Sequence, residues 1–346
     1  MELNGKLKIT VLYDAIEDRE KARATAKGDD FALTYKSVAK ALEERGHKVS
    51  LLAAGTDLRS LVTTIARDES ELVFNLCESL GGVAQHEQHV VALLELMGKQ
   101  FTGSSALGLT LAQDKALSKT LLHYHGIRYP KFTVLREQPG EWTSDLDFPL
   151  FVKPLNQDGS VGIDRNSIVN DFGELKERVS FVHNECGSPA LVEEYIEGRE
   201  IYVGILGNET AGVLPILEWD FSAVPDHLPK IASAEAKWDK ESPEYKAPQV
   251  FPTDIPEEVV TRIRQVSLDA FRALRVRDYA RVDMRLRPPG RRTPRGPSDK
   301  WEYFIIEANP NPHLDPKGEL ALAAREQGLN YPDLVNRIVD LAVERG

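Results

Sequence analysis

The sequence predicts a mixed α/β and α+β protein, with a doubly wound parallel sheet at the N-terminus followed by domains built on antiparallel strands. Three observations predict it. Strand-like and helix-like runs alternate from Leu7 to Gly98, the pattern changes after Asp114-Lys115, and two strand-like runs near the C-terminus flank a loop rich in Arg and Pro.

Taken in order, Leu7 to Leu12 is apolar and β-branched enough for a buried first strand. Tyr35, Val38, Ala39 and Leu42 follow at helical spacing, and Gly46 stops that helix. His47 to Leu52 reads as a second strand, Leu58 to Arg67 as a helix, Glu71 to Leu76 as a third strand, and His89 to Met97 as a helix stopped by Gly98. The turn after the first strand, from Asp14 onward, contains no G-x-G-x-x-G, so a dinucleotide-binding domain is disfavoured. A second domain begins near Gly108, with a helix to His125, a strand over Lys131 to Leu135, and the segment Leu150-Phe151-Val152-Lys153-Pro154 running into a Gly-containing loop. Pro225 to Pro256 reads as an ordered but irregular loop. Tyr279 to Leu286 and Trp301 to Glu307 read as hairpin strands joined by an elaborated loop, Arg285 to Lys300. The expected division is 1–108, 109–192 and 193–346.

The chain has 346 residues, enough for two or three domains at roughly 100–200 residues each. A net charge of −11 disfavours non-specific attraction to nucleic acid or anionic lipid. Cys77 and Cys186 make no disulfide framework, and neither lies in a zinc-ligand spacing. The first residues lack the apolar region of a signal peptide and no apolar run is long enough for a bilayer, so the expectation is a cytoplasmic protein.

Three constellations carry chemistry. Phe151-Val152-Lys153-Pro154 through Gly159-Ser160-Val161-Gly162 puts a lysine at a strand end ahead of a loop with backbone donors, which suits a polyphosphate as well as it suits an ordinary turn. Val192-Glu193-Glu194-Tyr195-Ile196-Glu197-Gly198-Arg199-Glu200 offers carboxylates to ribose hydroxyls and an adenine amine; taken alone, it is more simply a solvated acidic edge. On a strand, Arg281, Asp283 and Arg285 share one face, as do Glu307 and Asn309. Paired antiparallel, the two strands would bring Asp283, Glu307 and Asn309 together as hard oxygen ligands for Mg²⁺. The competing reading is an Arg281–Asp283 ion pair beside an Asn/Pro turn.

These segments, with Lys115 and Lys119 in an Asp-Lys-x-x-x-Lys run, occur in the order seen in ATP-grasp enzymes, and the sequence most resembles the D-alanine–D-alanine ligases from about Phe74 to the C-terminus. The resemblance implies an ATP-grasp fold, an N-terminal α/β domain followed by two α+β domains that clasp ATP. It further implies that Lys115, Lys153 and Ser160 contact the nucleotide, that Glu193, Glu194 and Ile196 border the adenine, and that Glu200 holds the ribose. Lys237, in Ala234-Glu235-Ala236-Lys237-Trp238, would reach the γ-phosphate from a lid; Asp283, Glu307 and Asn309 would hold Mg²⁺, or Mn²⁺ in its place. Lys153, Lys237 and Arg281 become the catalytic cations. Homodimerisation through the N-terminal domain is implied by the resemblance alone.

The departures concern the amino-acid half. Where the family carries a Glu after its first loop, a Ser in the glycine loop and a lid Tyr, this chain has Tyr13-Asp14-Ala15-Ile16-Glu17, Gly159 and Trp238; Gly318 stands where a Ser would meet the second substrate's carboxylate. The expectation is an ATP- and Mg²⁺-dependent carboxylate–amine ligase acting on small molecules through an acyl phosphate, on substrates other than paired D-alanine. The alternatives are a true D-alanine–D-alanine ligase and a non-catalytic ATP-binding regulator. Glu78 and Glu87, after the third strand, are candidates for holding the amine, beside Trp238 and His313; carboxylates at a helix start account equally for the two glutamates.

Overall fold

A computed structural model describes residues 5–16, 33–157, 159–290 and 298–345. Glu17 and residues 291–297 of the Arg/Pro-rich loop lie outside the described residues.

Three parallel strands, β1 (Lys8–Asp14), β2 (Lys48–Ala54) and β3 (Leu72–Leu76), are ordered β2-β1-β3. Side-chain alternation along β1 sends Ile9 and Val11 to one face and Leu12 to the other. Ile9 and Val11 pack with Val38 and Leu42 of helix Thr34–Glu44, and also with Leu334, Val335 and Ile338 of the C-terminal helix Tyr331–Glu344. Leu12 packs with Leu61 and Ile65 of helix Leu58–Arg67 and with Val91 and Leu94 of helix Glu87–Leu96. The sheet is therefore covered on both faces, and part of its cover comes from the far end of the chain.

The second sheet holds β4 (Phe132–Leu135), β5 (Leu150–Pro154), β6 (Ile168–Val169) and β7 (Ala190–Glu194), antiparallel in the order β4-β7-β5-β6. Helix Phe172–Cys186 starts at the capping carboxylate of Asp171, ends at Gly187 in the left-handed conformation (φ 60°), and packs Leu175, Val179 and Val182 on this sheet. The expected division after residue 192 falls inside β7, so this unit runs on to Glu194.

The third sheet contains β8 (Arg199–Gly207), β9 (Gly212–Val213), β10 (Leu217–Trp219), β11 (Gln249–Val250), β12 (Asp278–Arg287) and β13 (Glu302–Pro310), ordered β11-β10-β8-β12-β13 with β9 on β8. Helix Glu257–Ala273 covers it, and so do Leu122 of helix Lys115–Tyr124 and Ile127. A helix expected to open the second domain thus packs on the third sheet. Between Pro225 and Pro256 the chain forms the short helix Ala234–Trp238, capped by Ser233, and strand β11. Among the described residues no helix is long and apolar enough to cross a membrane.

Candidate functional site

A cavity opens between the second and third sheets. Lys153 comes from β5, Glu193 and Glu194 from β7, Glu200 and Tyr202 from β8, and Arg281, Asp283 and Arg285 from β12. Val282, Met284 and Leu286 alternate with those three and are fully buried in the core behind them. On β13 the alternation is interrupted: the register passes from Asp283↔Glu307 to Met284↔Ile305, leaving Ile306 as a bulge. The bulge lets Ile305 enter the core while Glu307 and Asn309 face the cavity.

The cavity is lined by five cations and five carboxylates, most of them already paired. Lys115 Nζ lies 2.7 Å from Glu307 Oε1 and donates to the Gln157 carbonyl at 2.6 Å. Glu193 lies between two buried lysines, 3.0 Å from Lys119 and 2.9 Å from Lys153. Arg281 grips Asp283 with two nitrogens, at 2.7 and 2.8 Å, and reaches Glu319 at 3.3 Å. Arg285 donates to Glu200 at 2.8 Å.

These pairings decide which charges persist. Burial disfavours the ionised form of Glu193, but Lys119 and Lys153 outweigh it and hold its carboxyl below the usual range. Burial likewise opposes ionisation of Glu307, and Lys115 followed by Lys153 brings it down to about 2. For Asp283 burial wins over Arg281, and the carboxyl is raised. Burial lowers the Lys237 ammonium, and the neighbouring Arg281 lowers it further.

Lys115, Lys153, Ser160, Glu193, Glu194, Ile196, Glu200, Lys237, Arg281, Asp283, Glu307 and Asn309 all line this one cavity. Four of the expected residues have surroundings that the sequence did not predict. The carboxylate of Glu193 is engaged by lysines rather than left for an adenine, and its side chain is 4% exposed. The Ser160 hydroxyl donates to the Ala232 carbonyl at 2.9 Å, tying the glycine loop to the segment before Lys237. Trp238 is 74% exposed and does not line the cavity, because the short helix that turns Lys237 inward turns its neighbour outward. Glu87 is the buried first residue of its helix, accepts from Gln113 and does not line this cavity. Glu78 and His313 do meet, at 2.9 Å, but at a separate cavity.

The β12–β13 pair brings Asp283, Glu307 and Asn309 together and also forms the Arg281–Asp283 ion pair. Asp283 and Glu307 are direct cross-strand partners, Asn309 Nδ2 donates to Asp283 at 2.9 Å, and Arg281 pairs with Asp283 as well. The donor set is two carboxylates and an amide, the hard-oxygen chemistry of Mg²⁺. With cavity-lining charges in balance, a polyanionic nucleotide would bring uncompensated negative charge, and a divalent cation beside Asp283 and Glu307 fits that need.

Sequence reasoning missed the buried role of Lys119, although its place one helical turn after Lys115 puts both on one face. It also missed Glu319, the partner of Arg281, and the ion pair of Arg165 with the fully buried Glu244 (2.8 Å), which fastens the glycine-loop side to the segment after Lys237. No local pattern marks either, since the partners are 38 and 79 residues apart.

The profile of the family described as D-ala D-ala ligase C-terminus matches residues 120–340. A Sinorhizobium fredii protein described as uncharacterized is 37% identical over 317 residues, covering 89% of this chain and 87% of its own. The D-alanine–D-alanine ligase of Desulforudis audaxviator is 32% identical, covering 90% and 92%. The fold is similar to that of the Bacillus anthracis D-alanine–D-alanine ligase solved in complex with ATP, with a TM-score of 0.71, 22% identity and 98% of each chain covered.

Proposed function

The chain belongs to the D-alanine–D-alanine ligase family of ATP-grasp ligases, and from that premise we propose that it is an ATP- and Mg²⁺-dependent carboxylate–amine ligase whose natural substrates are not two molecules of D-alanine. The observation that carries this reading is the convergence of Lys115, Lys153, Lys237 and Arg281 with Asp283, Glu307 and Asn309 on one cavity.

In this reading Ile196 and Tyr195 border the base and Glu200, oriented by Arg285 and by the Tyr202 hydroxyl, accepts from the ribose. Lys115 and Lys153 meet the phosphates from the floor, and Lys237 meets them from the lid helix. Asp283, Glu307 and Asn309 would hold a divalent cation, which would supply neutralisation of phosphate charge. A substrate carboxylate oxygen attacks the γ-phosphorus, ADP leaves, and the acyl phosphate is then attacked by an amine, with inorganic phosphate leaving and a proton lost. The chain's contribution is positioning and fixed charge.

The case against paired D-alanine rests on the amino-acid half. Gly159 has φ +65°, a conformation that disfavours a side chain there, and the Trp238 ring is turned to solvent. The Asp14 carboxylate is engaged by Ser79 and the Ile16 amide. Each hydrogen bond left unmade to a bound ammonium costs about 1–3 kcal/mol, and two or three such losses reduce activity by several orders of magnitude. The experiment is a screen of acid and amine pairs for ADP release with product mass. Poor dipeptide formation from D-alanine is expected; a specificity constant of about 10⁴ M⁻¹s⁻¹ or more on D-alanine would make the chain a true D-alanine–D-alanine ligase.

A further inference from the structure

The glycine loop and the lid segment meet along a seam beside the first cavity. The loop contributes Gln157, Gly159, Ser160 and Ile163 to the lining, and the lid segment contributes Ile231, Ala232 and Lys237. The two sides are rooted in different sheets. Arg178, a buried residue of helix Phe172–Cys186, donates to the Gly162 carbonyl at 2.6 Å and to Asp164 and the Ser167 hydroxyl at 2.9 Å, which fixes the loop on the helix of the second sheet. Ala236 of the lid helix is buried with Tyr202, Trp219 and Phe221, which fixes the lid on the third sheet.

Contacts cross the seam on both sides of Lys237 in the chain. Ahead of it, the Ser160 hydroxyl donates to the Ala232 carbonyl and the Ala234 amide to the Ile163 carbonyl, both at 2.9 Å. After it, Arg165 grips Glu244 with two nitrogens, at 2.8 and 2.9 Å, the fork geometry in which an arginine–carboxylate pair is strong. The setting of this pair is asymmetric, with the Glu244 side chain fully buried and that of Arg165 39% exposed. Burial opposes ionisation of Glu244, but Arg165 outweighs it and holds the carboxyl below its usual range. When the seam parts, Arg165 regains water, whereas Glu244 is left as a buried charge without this cation. The pair therefore resists opening more than an exposed ion pair does.

We propose that Arg165 and Glu244 are positioning residues whose ion pair latches the lid to the glycine loop, holding Lys237 over the cavity and gating nucleotide entry and exit at the seam. Neither residue lines the cavity, so the pair acts through the seam and not by touching the nucleotide. A lid of this kind completes a site and sets how fast ligands pass. A contact made equally with and without nucleotide shifts no binding equilibrium. The latch therefore slows entry and exit alike, whereas a residue that shapes the site changes affinity. The part played by Lys237 in the reaction rests on the ligase reading; the gate stands on the seam.

The test is the association and dissociation of β,γ-imido-ATP with Mg²⁺, read by surface plasmon resonance on the immobilised full chain. R165M keeps the stem of the arginine and removes its fork; E244Q keeps the shape of the carboxylate and removes its charge. Each is expected to speed association and dissociation together by about tenfold, the loss of one charge-assisted contact, with the dissociation constant unchanged. R165K keeps the charge without the fork and is expected to fall between R165M and the native chain. Native rates in both R165M and E244Q, or a dissociation constant weakened through dissociation alone, overturn the latch. Turnover, read as ADP release with an acid and amine pair that the native chain uses, is expected to fall about tenfold in R165M at an unchanged KM for ATP, as an interaction made only in the transition state does when removed. Native turnover in both variants overturns the positioning of Lys237. Nucleotide rates that respond as expected, with no ADP release by the native chain from any pair, overturn the ligase reading instead and leave the latch in place.

Discussion

Replacing Glu193 by Gln separates two roles for that residue. Its carboxylate lies between Lys119 and Lys153, whose side chains are 1% and 2% exposed. Removing one partner of a buried ion pair costs about 3–5 kcal/mol. The chain can limit that cost by releasing a proton: neutralising one lysine at pH 7 costs at most about 4.6 kcal/mol, from a reference pKa of about 10.4 and roughly 1.36 kcal/mol per unit. E193Q is therefore expected to lose about 3–5 kcal/mol in chemical denaturation at pH 7. The sign of its pH dependence follows. A lysine neutral when folded but protonated when unfolded binds fewer protons in the native state, so stability of the variant rises with pH until the unfolded lysine deprotonates near about 10.4. In the native protein the lowered Glu193 carboxyl contributes stability above its ordinary pKa, and this is lost as pH falls through the lowered value. If Glu193 instead contacted an adenine, E193Q would bind nucleotide more weakly at unchanged stability. A variant within about 1 kcal/mol of the native protein, with no recovery at high pH, would refute the clamp.

Mg²⁺–ATP at about 100 times its dissociation constant should stabilise the chain by roughly 2.7 kcal/mol, and Asp283→Asn should lose most of that shift; an unchanged Mg²⁺-dependent shift removes Asp283 from the cation site. Lys237→Ala should lower turnover by about 10²–10³, as losing one preorganised charge partner does, with nucleotide affinity in a binding titration largely kept. Turnover of Lys237→Ala at the native rate would sink the lid role.

The sequence by itself determined the elements and most members of the site. Hydrophobic period distinguishes helix from strand locally, so Leu58–Arg67 falls where its spacing puts it and β5 carries Lys153 at its end. The residue types along β12 and β13 gave the donor chemistry of Asp283, Glu307 and Asn309, because alternation is a local property of a strand. Tertiary structure decided what those charges do. The bulge at Ile306 turns Glu307 and Asn309 toward the cavity, and no periodicity announces a residue that breaks the period. Glu193 became a clamp only because the helix bearing Lys119 packs on the third sheet, and the C-terminal helix completed the core of the first. Trp238 and Lys237 are adjacent in the chain, yet one faces solvent and the other the cavity. A carboxylate's role depends on which cations lie within a few ångströms of it, and for Glu193, Glu319 and Glu244 those partners come from segments that the sequence does not link.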